Sequence, residues 1–166
     1  MSHVEEKITS DIPAEVVMSL AEQKAVDVAK EMPDGTVILG SDTVVAADGK
    51  ILGKPKSHEE AHEMIRRLAG RSHQVYTGVC LVKKGPEGEA DTVVSFYDET
   101  DVNVSPMTEK EIREYADSEE PMDKAGAYAV QGFFARYIEG LRGSYANVMG
   151  LPVHLVYRKL KELDAI

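Results

Sequence analysis

Residues 36–55 read TVILGSDTVVAADGKILGKP, a stretch whose letters alternate between strand and turn. Thr36–Gly40 is a short, continuous apolar run of the kind a buried strand needs. Val44–Ala47 and Lys50–Leu52 flank Asp48-Gly49, a strong hairpin-turn dipeptide. Between them Gly40-Ser41 predicts a small-residue turn. Asp42 follows that turn, and Lys54-Pro55 follows the hairpin. The core of the chain is thus predicted to be sheet, with two charged groups at its margin.

Helical periodicity surrounds this stretch. Upstream, Asp11 is placed to cap a helix and Pro13 suits its first turn. Val17, Leu20, Ala21, Ala25 and Val28 then form an apolar stripe until Pro33-Asp34-Gly35. Downstream, Ser57 and Glu60 predict a capping box, and Ala61, Met64, Ile65 and Leu68 face a core until Gly70. His73–Val82 and Thr92–Val104 read as long strands around a turn. Thr108 and Glu111 predict a second capping box for a helix reaching about Asp117. Residues 126–139 alternate as two short strands would around Gly132, and residues 151–163 predict a closing helix. The sum is an α/β fold, a mixed twisted sheet flanked by helices, in a single domain over 1–166.

The chain has 166 residues, of which 43% are apolar and 29% charged, a balance that suits one globular core. Its formal net charge of −10 argues against nucleic acid and anionic membrane surfaces as partners. Local lysines can still hold a polyanionic small molecule against that global sign. A single cysteine, Cys80, excludes an internal disulfide framework, and its apolar neighbours predict burial. No leader or membrane-spanning run is visible, so a cytoplasmic location is expected.

Residues 58–62, HEEAH, spell the pattern by which a helix holds zinc. Both histidines, however, fall off the stripe set by Ala61, Met64, Ile65 and Leu68. His58 would sit in the first turn, and Leu68, six positions after His62, cannot be a third ligand. A capped helix with a solvated edge explains the same letters.

Three other stretches carry more chemistry. Asp42 at a strand end can accept a proton or hold a divalent cation, and Lys54, fixed between Gly53 and Pro55, suits phosphate. A strand cap and a surface lysine would give the same pattern. In DKAGAYAVQG, residues 123–132, Lys124 is a second phosphate partner, and Gln131 offers an amide able to read a base edge. GSYANVMGLP, residues 143–152, reads as a punctuated loop that Asn147 supports.

Taken together, SDTVV…DGKILGKP, EEAHEMIRRLAGRSHQVYTGVCLV, EPMDKAGAYAVQG and GSYANVMGLP closely resemble the Maf family of nucleoside triphosphate pyrophosphatases, from about residue 4 to residue 163. The resemblance implies a fold akin to the inosine triphosphate pyrophosphatases, with two lobes around a cleft. It implies hydrolysis between the α- and β-phosphates, a divalent cation (Mg2+ or Mn2+), and a homodimer. It matches Asp42 to the proton acceptor, Lys54 to the lysine of the KP motif, and Thr43 and Gln131 to positions tied to substrate choice. Lys24 and Glu6 match a lysine and an acidic residue of the family, with Asp42 and Glu6 as candidate metal ligands. Asp42-Thr43 with Gln131 resembles the branch acting on dTTP and UTP. Relatives tied to cell division and septum formation offer a regulatory, non-catalytic alternative. The family opens with a strand and an S-x-S-P-R-R segment that this sequence does not contain. The expectation that follows is weak or no turnover by the 166-residue chain.

Overall fold

The computed structural model describes residues 1–166. Ten elements follow one another: α1 (Pro13–Ala29), β1 (Val37–Ala47), β2 (Lys50–Leu52), α2 (His58–Leu68), β3 (Ser72–Lys83), β4 (Thr92–Val104), α3 (Glu109–Ala116), β5 (Ile138–Arg142), α4 (Tyr145–Val148) and α5 (Val153–Glu162). The strands form one sheet in the order β2-β1-β3-β4-β5. This is the helix-flanked α/β sheet expected, but every pairing in it is antiparallel rather than mixed. The Asp48-Gly49 turn joins β1 to β2, and a loop over residues 84–91 joins β3 to β4. Neither is the long crossover that parallel neighbours require.

β1 is longer than its apolar runs suggest. Gly40, Ser41 and Asp42 do not turn; they continue the ladder against Cys80, Val79 and Gly78. The reason lies in α1, which packs directly on these backbones. A Cβ on Gly40 would lie 2.4 Å from the Ala21 carbonyl oxygen, and one on Gly78 would lie 2.3 Å from the Val17 carbonyl. The glycines are there for helix approach, not for a bend. Ala21, Ala25, Ile38, Cys80 and Val82 form the small core on this side, with Cys80 fully buried as expected.

The larger core lies on the other face, where Val45, Ile65, Leu68, Val102, Ile112 and Phe134 pack beneath α2 and α3. Both helix starts behave nearly as their letters predict. Ser57 accepts from the Glu60 N–H, though the Glu60 carboxylate reaches the Lys56 N–H rather than closing the box on Ser57. Thr108 and Glu111 close theirs completely. Asp11 does not cap α1: Ile12 holds that position, and Ser10 instead ties the Ile12 N–H to Glu15.

Residues 126–137 hold neither of the two strands expected over 126–139, and only residues 138 and 139 of that stretch are in a strand. Their stretch runs through two tight helical turns, at Ala125–Ala127 and Phe133–Tyr137, and only then enters β5. Glu120 explains this, since its carboxylate accepts from the backbone N–H groups of Phe133 and Phe134 and from the Tyr115 hydroxyl. A Cβ on Gly132 would collide with that carboxylate at 2.0 Å. The segment is pinned as a wall beside the sheet rather than paired into it.

Candidate active site

Adjacent residues on a strand point to opposite faces. At Asp42 and Thr43 that alternation separates two chemistries. The Asp42 carboxylate faces α1, where Lys24 Nζ lies 2.5 Å from its Oδ1. Lys24 also reaches Glu6, at 3.1 Å, so one ammonium bridges two carboxylates. Glu6 is held there by the N-terminal strap, which runs along α1 through reciprocal bonds between Lys7 and the Gln23 amide. Only 17% of the Asp42 side chain is exposed. Burial is the main influence on its carboxyl and pushes it above the ordinary range. Lys24 pulls against that, Glu6 adds to it, and Lys54 pulls weakly down. Burial alone would lower Lys24, but the bonds and charges of Asp42 and Glu6 outweigh it and leave the ammonium raised. A carboxylate that is partly desolvated and made more basic suits proton acceptance.

Thr43 faces the other way, into a cavity of about 390 Å3 whose lining includes Val75, Lys124, Tyr128, Gln131 and Met149. That volume lies in the range of small-molecule sites. The wall opposite β1 carries backbone strain. Gly126 and Ala127 are both left-handed, at φ 69° and 63°, and a Cβ on Gly126 would meet Val45 at 2.8 Å. Gln131 is exposed at the rim, its amide unbonded within the protein, and Lys124 pairs with Asp123 at 2.5 Å.

The two chemistries meet at the free edge of β1. β2 pairs only with Val45–Ala47, so the edge beyond is uncovered as the chain leaves β2 through Gly53 and Lys54. The Gly53 carbonyl accepts from the Gly126 N–H, fixing this turn against the cavity wall. The Lys54 ammonium is exposed and acts electrostatically on both Asp42 and Asp123; the latter's carboxyl is held down first by Lys124. The structure thus gathers Thr43, Lys124 and Gln131 in one cavity and Glu6, Lys24 and Asp42 in one ion-pair cluster. Lys54 lies within electrostatic reach of both.

Sequence reasoning missed Tyr128, Asp123 and Thr77. Thr77 is fully buried, and its hydroxyl lies 2.8 Å from that of Thr43. Its signal was the register that sets Thr43 opposite Thr77, legible only once β1 is known to be continuous. Asn147, expected merely to support a loop, is buried and bonds the Val75 carbonyl and the Thr100 hydroxyl, so α4 and Met149 close the cavity floor. The zinc-like histidines do other work. His58 Nδ1 lies 2.8 Å from the Ala116 carbonyl and His62 Nε2 2.7 Å from Asp117, so both hold the C-terminal end of α3.

A cavity of small-molecule size, with lysines and a raised carboxyl beside it, is an arrangement that suits a phosphorylated ligand on an α/β fold. Residues 1–163 match the family model described as Maf-like protein, and the chain belongs to the Maf family. Its curated relatives include proteins named dTTP/UTP pyrophosphatase. That of Lachnoclostridium phytofermentans is 44% identical over 98% of this chain and 82% of its own length. That of Carboxydothermus hydrogenoformans is 46% identical over 96% and 83%. That of Bacillus cytotoxicus is 44% identical over 99% and 83%. No helix is long and apolar enough to cross a membrane.

Proposed function

We propose that this chain is a nucleoside triphosphate pyrophosphatase that splits dTTP or UTP into the monophosphate and pyrophosphate. The observation that carries the reading is the split at Asp42 and Thr43, which puts a basic carboxylate and a base-sized cavity on either side of one exposed strand edge. The base enters the cavity against Thr43 and Gln131, and the triphosphate lies across the edge toward Lys54, with Lys124 and Lys24 on either side. Water attacks the α-phosphorus and gives its proton to the Asp42 carboxylate. The α–β bridging oxygen leaves with pyrophosphate, its charge offset by the lysines.

Asp42 and Glu6 are the carboxylates available to a divalent cation, and no group of three or more His, Cys, Asp or Glu side chains could hold one. Two carboxylates suit Mg2+ or Mn2+, which keep several waters and share ligands with substrate phosphates. When bound, such a cation supplies charge neutralisation at the phosphates. Lys24 lies between these carboxylates and holds both in place, where they would hold such a cation.

The test is pyrophosphate release from UTP, dTTP, CTP, ATP and 7-methyl-GTP with Mg2+, by the wild type and by Asp42→Asn. Turnover, low if the absent S-x-S-P-R-R segment is needed, should favour UTP and dTTP and fall by about 100-fold or more in the variant, the scale of a lost general base. A variant as fast as the wild type would remove Asp42 from the chemistry.

A further inference from the structure

Behind Thr43 lies a chain of hydroxyls whose protons can be assigned from geometry alone. Thr77 Oγ1 lies 2.9 Å from the Asn147 carbonyl oxygen, and that oxygen can only accept. It also accepts from the Gly150 N–H at 2.8 Å. Asn147 is itself held by hydrogen bonds, with only its Oδ1 lacking a partner. Its N–H donates to Ser144 Oγ, and its amide donates to the Val75 carbonyl and to Thr100 Oγ1. Thr100 passes its own proton to the Ser144 carbonyl and accepts from the Ser144 N–H. Nothing in this buried ring is free to reverse.

A hydroxyl has one proton. If Thr77 spent it on Thr43, two oxygens would face each other at 2.9 Å with no hydrogen between them, at a side chain fully buried from solvent. The proton of Thr77 therefore goes to Asn147. The remaining contact, 2.8 Å between Thr43 Oγ1 and Thr77 Oγ1, is a hydrogen bond only if Thr43 donates it. With its proton committed inward, the Thr43 oxygen turns only lone pairs to the cavity.

We infer that Thr77, anchored on the Asn147 carbonyl, is a positioning residue that makes Thr43 an obligate acceptor. Set against N3 of the base, that acceptor selects the imide N3–H of uracil or thymine. Cytosine presents a ring nitrogen acceptor there, and two acceptors face to face are rejected. This rests on the proposed nucleotide reading and adds to it the device that sets the choice. A site that hydrogen-bonds its ligand discriminates more sharply than one that only fits its shape, because a mismatch strands a buried polar group.

The test uses the whole chain with the non-hydrolysable α,β-imido analogues of UTP and CTP. Dissociation constants are measured by calorimetry for the wild type, Thr77→Val and Thr77→Ser. Valine keeps the shape but removes the hydroxyl, so Thr43 is free to point its proton into the cavity. The expected wild-type preference for the uridine analogue is about tenfold or more, falling to within about threefold in Thr77→Val as cytidine binding improves. Thr77→Ser, which restores the hydroxyl, keeps the preference. A purely structural role would weaken both analogues together and leave their ratio unchanged in Thr77→Val, and that result overturns the inference. So does a wild type that binds both analogues equally, although it leaves nucleotide hydrolysis standing. A wild type that binds neither analogue overturns the nucleotide reading itself.

Discussion

Asp42 is basic because burial outweighs its lysine partner, and that balance has a measurable sign. The carboxyl must be ionised to take a proton, so the acid limb of the rate profile belongs above the ordinary aspartate value of 3.8. Lys24 is the group that chiefly restrains the rise. Lys24→Met therefore moves the acid limb to higher pH, whereas a downward move would show that another group titrates. His73 gives a second pH effect, on stability. Buried and bonded to the Tyr128 hydroxyl, it is pushed down to about 4 and stays neutral in the fold. The unfolded chain takes up the proton near 6.5 and the native chain does not, so stability is complete above that pH and is lost between about 6.5 and 4. Urea denaturation at pH 7 and pH 4.5 reads the loss, about 3 kcal/mol at most. His73→Gln removes this part of the pH dependence. At this scale the sequence was informative about polar chemistry, since Asp42, Lys54, Lys124 and Gln131 were marked by type and setting, whereas Lys24 was marked only by the family resemblance. It was silent about Thr77, because a threonine in a strand has no chemistry until its partner across the ladder is known.

The elements were legible wherever one local cause set them. Thr108 with Glu111, Ser57 at its cap, the Asp48-Gly49 turn and the ends of β4 follow from capping and turn chemistry. Gly40-Ser41-Asp42 and residues 126–132 were misread because their causes are distant: α1 lying on Gly40 and Gly78, and Glu120 bracing Gly132. The α1 contact also carries function, because it brings Lys24 to Asp42. Gly78→Ala must lift α1 from β3, so the chain should lose about 3 kcal/mol or more, seen as a fall in Tm with weakened nucleotide hydrolysis. An unchanged Tm would show that α1 is not seated on that glycine. The clamp of α2 on α3 is milder. His58→Ala deletes one hydrogen bond to the last turn of α3 and should cost about 1 kcal/mol in chemical denaturation, with added zinc making no difference.

The whole molecule carries a net charge of −10, yet the candidate site gathers Lys24, Lys54 and Lys124 around a single strand edge. Composition alone therefore points away from nucleic acid, and the fold gathers the local lysines that the proposed polyanionic nucleotide needs. The antiparallel topology builds this arrangement. The short β2 leaves the upper edge of β1 uncovered, α1 supplies the ion-pair face, and the pinned loop with α4 supplies the cavity face. In the proposed reaction water attacks the α-phosphorus at this edge and Asp42 takes its proton. Hydrolysis of UTP in 18O-labelled water, followed by mass analysis of the products, tests it most directly. One labelled oxygen is expected in UMP and none in pyrophosphate, with the rate of labelling falling by about 100-fold or more in Asp42→Asn. Label in pyrophosphate or in free phosphate beside UDP, or an undiminished rate in the variant, would contradict it.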